Sequence, residues 1–153
     1  MRKPTDNDRI TSQFGWRKLS GKLDFHSGID YGGITAGISG DNIYAIANGT
    51  VKRVNNDTDG YGWYVVIEHT EHCTLYAHLN DVLVKEGDVV SEGHVIGHMG
   101  STGNSTATHC HHEVRKCTYQ YFWDRWSNGE PIHCIDPELF YLKYLKPDAP
   151  HRS

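Results

Sequence analysis

The chain has 153 residues, a length that predicts one domain with a substantial hydrophobic core. Its formal charge of −4 excludes the basic face of a nucleic-acid-binding protein. No stretch approaches the roughly 20 apolar residues that a membrane span requires, and the N-terminus lacks the apolar run of a signal peptide. We therefore expect a product made in the cytoplasm with no nucleic-acid or membrane partner, unless a leader has been removed or export needs no leader.

Two residues near the N-terminus are the first candidates for chemistry. His26 and Asp30 are four apart, but Gly28 and the Gly32-Gly33 pair argue against a helix, so we predict a loop that leads into a strand. Imidazole and carboxylate are both common zinc ligands. On these residues alone, a hydrogen-bonded histidine–aspartate pair at a loop corner is the simpler interpretation.

Residues 42–100 are a series of short apolar runs separated by turn residues. The runs 43–47 and 50–54 on either side of Asn48-Gly49 predict a β-hairpin. Residues 63–69 and 73–79 predict a second strand pair. Alternation on the latter strand places Thr74, Tyr76 and His78 on one face. This pattern predicts a mainly β fold, an antiparallel sheet, sandwich or barrel, with little helix.

The histidines crowd most closely in Thr108-His109-Cys110-His111-His112-Glu113. On a strand, His109 and His111 share one face, whereas Cys110 and His112 point to the other as buried side chains. Two imidazoles on one face can reach a common point, as a metal ligand and a neighbouring acid or base must. An isolated His-x-His pair is more often solvated, so this interpretation depends on partners elsewhere.

The C-terminal third contains an aromatic-rich segment and a short predicted helix. Cys117 and Cys134 flank the segment and could form a disulfide, although reduced thiols are the default in the cytoplasm. Asp136 and Pro137 fit the cap and first position of a helix. That helix is expected to carry Leu139, Phe140 and Leu142 onto the core.

Taken in order, three motifs resemble the lysostaphin/LytM-type zinc endopeptidases: His26-x-x-x-Asp30, Tyr76-Ala77-His78-Leu79 and His109-x-His111. Supporting matches are Phe14-Gly15-Trp16-Arg17, Gly60-Tyr61-Gly62, Val84-Lys85-Glu86-Gly87-Asp88 and Ser101-Thr102-Gly103-Asn104-Ser105. The resemblance implies the duplicated hybrid β-motif of those peptidases. It also implies one catalytic metallopeptidase domain over residues 1–145, followed by a tail at residues 146–153.

The resemblance assigns a role to each motif residue. His26, Asp30 and His111 would hold one Zn²⁺ per chain, with a water as the fourth ligand. His78 and His109 would stand beside the metal as catalytic residues that deprotonate the water and stabilise the tetrahedral intermediate. The chain has no His-Glu-x-x-His motif, so histidine must replace the glutamate base of thermolysin-type enzymes.

The sequence departs from the family pattern around the His-x-His pair. The family usually has Gly-Pro-His-Leu-His-Phe-Glu where this chain has Ala-Thr-His-Cys-His-His-Glu at residues 107–113. His112 thus replaces a core aromatic residue and needs a hydrogen-bond partner. Glu113 is either an orienting partner of a metal ligand or an ordinary strand glutamate. The segment 117–134 is longer than expected and could form a groove wall or an interaction surface.

The resemblance implies a monomeric hydrolase that cuts peptide bonds of bacterial peptidoglycan, in cross-bridges or in stem peptides. The expected setting is a bacteriolytic phage or prophage endolysin acting on the cell wall. A virion-associated lysin or a fragment of a larger secreted hydrolase is the second choice.

Two non-enzymatic functions are alternatives to this hydrolase. Residues 84–96 also resemble biotinyl and lipoyl carrier domains, but Lys85 does not occupy the hairpin tip that carriers modify. The stronger alternative is an inactive family member that binds or regulates the cell-wall machinery. Such members have lost ligands, and here all three ligands and both helper histidines are present.

Overall fold

The computed structural model describes residues 1–145, so the predicted tail at 146–153 lies outside the described residues. The strands are, in chain order, β1 Ile10–Ser12, β2 Gly15–Leu19, β3 Lys22–His26, β4 Ile29–Gly32, β5 Asn42–Tyr44, β6 Gly49–Asp57, β7 Gly62–Glu68, β8 Cys73–Val82, β9 Val89–Val90, β10 Val95–Met99, β11 His109–Arg115, β12 Trp126–Ser127, β13 Glu130–Pro131 and β14 Cys134–Ile135. One 3-10 turn covers Tyr119–Tyr121, and the helix α1 covers Pro137–Tyr144.

Ten of these strands form one antiparallel sheet. Its main path runs β1-β4-β11-β8-β7-β6-β9, while β10 pairs with β8 and β5, and β14 pairs with β11. The pairs β2–β3 and β12–β13 form separate two-stranded hairpins. The mainly β prediction is therefore confirmed, and β11 lies between β4 and β8 in the middle of the sheet.

The two faces of the sheet carry separate hydrophobic clusters, because side chains alternate along each strand. The first core contains, among others, Ile43, Val51, Val65, Ile67, Tyr76, Leu79, Ile96, Cys110, Val114 and Phe140. The second core contains Tyr64, Val66, Cys73, Leu75, Ala77 and Phe122. Helix α1 covers the first core, and the segment after β11 covers the second through the buried Phe122.

The predicted hairpin around Asn48-Gly49 is wrong. β5 pairs with β10, whereas β6 pairs with β7 and β9. Gly49 lacks the positive φ of a tight hairpin turn, and a Cβ there would lie 2.5 Å from the carbonyl oxygen of Glu68. This glycine is needed for close packing against β7, so a tertiary contact overrides the local turn signal.

The predicted helix start is confirmed, but its buried face is only partly as expected. The Asp136 side chain accepts a hydrogen bond from the Glu138 amide at 3.0 Å, and Phe140 is buried. Leu139 and Leu142 are 62% and 77% exposed, because the residues of α1 that pack against the sheet are Pro137, Phe140 and Tyr141, at a spacing of three and four.

Within residues 1–145, no helix is long and apolar enough to cross a membrane.

Candidate active-site groove

Three strands deliver the predicted metal ligands to one point. His26 is the last residue of β3 and not part of a loop, Asp30 lies on β4, and His111 lies directly opposite Asp30 on β11. A Cβ at Gly28 would lie 2.3 Å from the carbonyl oxygen of His112. Only glycine therefore lets the β3–β4 connection pass this close to β11.

The three ligand atoms have the spacing that a tetrahedral metal requires. His26 Nε2 lies 3.2 Å from His111 Nδ1 and 3.3 Å from Asp30 Oδ1, and His111 Nδ1 lies 2.9 Å from Asp30 Oδ1. Tetrahedral zinc with ligand bonds of about 2.0–2.1 Å separates its ligand atoms by about 3.3 Å. The donor set and its geometry therefore fit a zinc ion.

Hydrogen bonds at the far nitrogens determine which nitrogen of each ligand ring is free. His26 Nδ1 donates to the carbonyl oxygen of Gln13 at 2.7 Å, which leaves Nε2 as the ligand atom. His111 Nε2 contacts Glu113 Oε2 at 2.8 Å, which leaves Nδ1 as the ligand atom. Such partners fix the tautomer and orientation of metal-binding histidines.

Glu113 is completely buried and has several hydrogen-bond donors around it. Its Oε2 accepts from Ser27 Oγ at 2.9 Å and from Tyr61 Oη at 2.7 Å. Its Oε1 accepts from Arg115 Nε and Nη2 at 2.8 and 2.6 Å. Of the two interpretations left open by the sequence, the structure supports a carboxylate that orients His111.

Charge interactions in this cluster stabilise the ionised carboxylates. Burial raises the pKa of Asp30, but hydrogen bonds to His111 and His26 outweigh this effect and lower it well below its usual range. Burial lowers the pKa of His111, but its hydrogen bonds to Asp30 and Glu113 raise it to about 9. Without a metal, His111 is therefore a doubly protonated ring between two carboxylates.

The helper histidines, His78 and His109, meet beside the ligand set. Their ring centroids are 4.7 Å apart, and His109 Nε2 lies 3.8 Å from Asp30 Oδ2. His78 Nδ1 donates to the carbonyl oxygen of Thr102 at 2.7 Å, and His109 Nδ1 donates to that of Ala107 at 2.8 Å. Because carbonyls only accept, both rings carry the proton on Nδ1 and have Nε2 free to exchange protons.

The predicted face of His78 is wrong. Strict alternation would place it with Thr74 and Tyr76, on the side away from the ligands. Its ring centroid instead lies 6.2 Å from that of His111, in the same groove.

A β-bulge explains this placement. Tyr76 pairs with Val65 and Leu79 pairs with Trp63, so three steps along β8 match two steps along β7. The extra residue permits His78 to adopt a φ of 59°, in the left-handed region. Bulges of this kind redirect a side chain and are common next to active sites.

Burial leaves the His78 ring unprotonated on Nε2 at neutral pH, and it also makes that nitrogen a weaker base than a free imidazole. Burial lowers its pKa to about 4, partly opposed by the hydrogen bond to the Thr102 carbonyl. The ring is therefore neutral at pH 7, with a lone pair on Nε2.

His112 is a structural residue, as predicted, and both of its ring nitrogens have hydrogen-bond partners. It is fully buried, its Nδ1 donates to the carbonyl oxygen of Leu75 at 3.0 Å, and its Nε2 accepts from Tyr141 Oη at 2.7 Å. It points away from the metal ligands, and burial lowers its pKa to about 3.

The ligands and helper histidines line an open groove of about 630 Å³. Segment 117–134 provides one wall through Arg125, whose Nη2 donates to Tyr61 Oη at 2.7 Å. Trp126 packs against Phe25 and Trp16, with ring centroids 6.2 Å away in each case. The groove-wall interpretation of this segment is thus supported, and the four cysteines of the chain are free thiols.

Sequence reasoning missed the groups that orient the histidines. The carbonyls of Gln13, Thr102 and Ala107 have no side-chain signal, so no sequence pattern could reveal them. Tyr61 and Arg115 could have been noticed, because Tyr61 lies in the matched motif Gly60-Tyr61-Gly62 and Arg115 follows Glu113 by two residues on the same strand face.

This fold and donor set define the class of a metallopeptidase, and solved structures agree. The catalytic domain of lysostaphin from Staphylococcus simulans is 28% identical and covers 88% of this chain and 92% of its own, with a TM-score of 0.68. A variant catalytic domain of the prophage-encoded M23 protein EnpA from Enterococcus faecalis is 31% identical. It covers 87% and 91% of the two chains, with a TM-score of 0.67.

The sequence comparisons identify the family. Peptidase family M23 matches residues 24–133, and the chain belongs to that family. It is 37% identical over 134 residues to the DD-carboxypeptidase/endopeptidase Mpg of Neisseria meningitidis, covering 86% of this chain and 27% of Mpg. It is 37% identical over 113 residues to the murein hydrolase activator NlpD of Salmonella typhimurium, covering 73% and 27%. The chain thus spans about a quarter of the length of these curated relatives.

Proposed function

We propose that this chain is a zinc endopeptidase that hydrolyses peptide bonds in bacterial peptidoglycan. The observation that carries the proposal is the ligand geometry: His26, Asp30 and His111 present three donor atoms at tetrahedral spacing. The names of its relatives Mpg and lysostaphin, which refer to peptidase activity, support the same reaction class.

The ligand set would hold one zinc ion per chain, at a point that the groove exposes to a substrate. Zinc bound there would act as a Lewis acid on a water molecule and on the scissile carbonyl. Glu113 and the Gln13 carbonyl hold the two ligand rings in place before the metal arrives, which limits the ordering cost of binding.

His78 and His109 would manage the protons of the reaction. Each has Nε2 free in the groove, so each can accept a proton and afterwards donate a hydrogen bond. His78 is neutral at pH 7 and is our choice for the base that accepts the proton of the attacking water. His109, next to Asp30, would take a proton from solvent on Nε2 and, as the imidazolium, donate a hydrogen bond to the oxygen on which charge develops. A positioned imidazole of this kind contributes about 10²–10⁴-fold to the rate.

The alternative function is that of an inactive member that regulates the cell-wall machinery. The relative named a murein hydrolase activator makes this a real competitor. The complete ligand set and the two free Nε2 atoms favour an enzyme, because a binding module would have no need to retain them.

The experiment that tests the proposal combines metal analysis with digestion of purified peptidoglycan. The protein is purified without chelators and supplied with zinc, and released fragments are identified by mass spectrometry. We expect about one zinc per chain and new peptide termini, with a monomer in solution. Zinc binding without cleavage of any peptidoglycan type would favour the regulatory alternative.

The cellular setting that we propose is phage-type lysis, supported by the prophage-encoded structural neighbour. The protein would then be a bacteriolytic, endolysin-like enzyme. We expect cells expressing it to lyse only when the membrane is permeabilised. Lysis without permeabilisation, or none at all with active enzyme, would contradict this setting.

A further inference from the structure

One positive charge in the groove has no anionic partner within residues 1–145. Apart from histidines, the charged residues that line the groove are Arg17, Asp30, Asp57 and Arg125. Asp30 belongs to the ligand set, and Arg17 pairs with Asp24 at 3.1 Å. Arg125 makes no ion pair with any carboxylate of the described chain, although it is exposed to the groove.

The Arg125 guanidinium is nevertheless held in a defined place. Its Nη2 donates to Tyr61 Oη at 2.7 Å, and its Cζ lies 5.5 Å from the centroid of the Tyr61 ring. Its backbone carbonyl accepts from the Ile132 amide at 3.0 Å, inside the loop that carries β12 and β13. A guanidinium has five N–H donors, and only one of them is used here within residues 1–145. The others are available to a ligand.

This guanidinium is connected to the candidate metal centre through two intervening side chains. Tyr61 Oη accepts from Arg125 and donates to Glu113, and Glu113 accepts from His111. Three hydrogen bonds thus separate Arg125 from a metal ligand. The next residue, Trp126, packs against Phe25 and continues the same wall. A substrate bound across the metal would pass beside this arginine.

We propose that Arg125 forms a subsite for a free carboxylate on the peptide substrate, close to the bond that is cut. The proposal rests on the proposed function and narrows its substrate class. It selects stem peptides, which carry free carboxylates, over neutral glycine bridges. A planar guanidinium matches a carboxylate with two parallel hydrogen bonds.

The test uses the zinc-loaded full chain and two cross-linked stem peptides. They differ only in whether the carboxylate next to the scissile bond is free or amidated. We expect the free-carboxylate peptide to have a kcat/KM about tenfold or more higher, the usual effect of a charge-assisted hydrogen bond. Arg125→Gln is expected to remove the preference, because it slows the free-carboxylate peptide more than the amidated one, and Arg125→Lys to restore part of it.

A matched control is Arg53→Gln. Arg53 is also an arginine whose guanidinium contacts a tyrosine hydroxyl, that of Tyr64 at 3.4 Å, but it does not line the groove. This variant is expected to keep the full preference. No preference in the wild type, or a preference that survives in Arg125→Gln, would overturn the subsite.

A binding measurement separates failure of this inference from failure of the proposed function. Uncleavable product peptides with a free or amidated carboxylate are titrated into the wild type and into Arg125→Gln. Tighter binding of the free carboxylate by about tenfold in the wild type alone supports the subsite, even if no peptide is cut. Equal binding of both peptides to both proteins contradicts it.

Discussion

The two pairs of histidines in the groove are held by different parts of the molecule. The ligand rings of His26 and His111 lie on β3 and β11, and their far nitrogens are fixed by the Gln13 carbonyl and the buried Glu113 carboxylate. Strand β11, at the centre of the main sheet, carries His111 and Glu113, whereas His26 lies on the β2–β3 hairpin and Gln13 just before it. Metal binding should therefore depend mainly on strands β3 and β11, on β4 with Asp30, and on Glu113.

His78 and His109 depend instead on the loop at residues 100–108, between β10 and β11. Both donate Nδ1–H to carbonyls of this loop, those of Thr102 and Ala107. A carboxylate partner would raise the basicity of a ring more than a carbonyl does. Under the proposed function, this difference predicts a division of labour, in which β3, β4 and β11 would hold the metal and the loop would position the groups that move protons.

The largest expected effect comes from removing a ligand on the sheet. His111→Ala should weaken zinc binding by more than about 10²-fold. Loss of a residue that only orients a ligand costs about 10–100-fold, and loss of a proposed ligand should cost more. Cleavage should fall to background. Metal analysis and peptidoglycan digestion check both effects. The surface variant His98→Ala, which removes only a contact with Asp81, should behave like the wild type.

Removing a loop-held histidine should separate the two functions. His78→Ala is expected to keep about one zinc per chain and to lose about 10²–10⁴-fold in kcat. Metal content and steady-state kinetics are measured on the same preparation. Loss of zinc together with activity would contradict the division between sheet and loop.

Glu113 allows a milder test of how the metal ligands are supported. Glu113→Gln keeps the size of the side chain but removes the charge that accepts from His111. Zinc affinity should fall about 10–100-fold. Competition with a chromophoric chelator measures it, and activity at saturating zinc should recover in large part. An unchanged zinc affinity would show that Glu113 does not orient the ligand.

Thr102 allows the corresponding test of the loop. Its Oγ1 donates to the Leu79 carbonyl at 2.7 Å and accepts from the Trp63 amide at 3.0 Å. Thr102→Val should cost about 1 kcal/mol of stability per lost hydrogen bond. We expect a lower kcat with unchanged zinc affinity, because the loop carbonyl that holds His78 becomes less fixed. A change in zinc affinity with unchanged kcat would be the opposite result.

His112 belongs to neither pair and affects only the fold. Its pKa is about 3 in the folded chain and about 6.5 when unfolded, so between these values only the unfolded state gains the proton. Stability should therefore fall as the pH falls through this window, by about 2 kcal/mol from pH 7 to pH 5. His112→Phe should lack this contribution. Urea unfolding of the wild type and of His112→Phe at both pH values, with chelator present, measures this contribution. An equal loss of stability in the two proteins would contradict it.

The sequence predicted the mainly β fold because short apolar runs and turn residues are local signals. It failed at Asn48-Gly49, where the glycine serves a contact with β7 that no local pattern records. It also failed for the face of His78, because a bulge depends on the register between two strands and not on either strand alone.

The candidate ligands and helper histidines were predicted from ordered motifs, and the structure brings all five into one groove. Their orienting partners were harder to predict, because backbone carbonyls carry no residue signature. The role of Glu113 stayed open, and Arg125 was not identified, because the direction in which a side chain points in the fold has no signature in the sequence. Only the fold reveals which charged side chains a strand or a loop turns towards the ligands.

The most direct test of the central claim is anomalous diffraction at the zinc edge from crystals of the zinc-loaded protein. The account predicts one peak about 2.0–2.2 Å from His26 Nε2, Asp30 Oδ1 and His111 Nδ1. The nitrogens of His78 and His109 should lie outside bonding distance. A peak that includes either helper histidine as a ligand, or that omits His111, would contradict the separation of metal-binding and proton-moving groups.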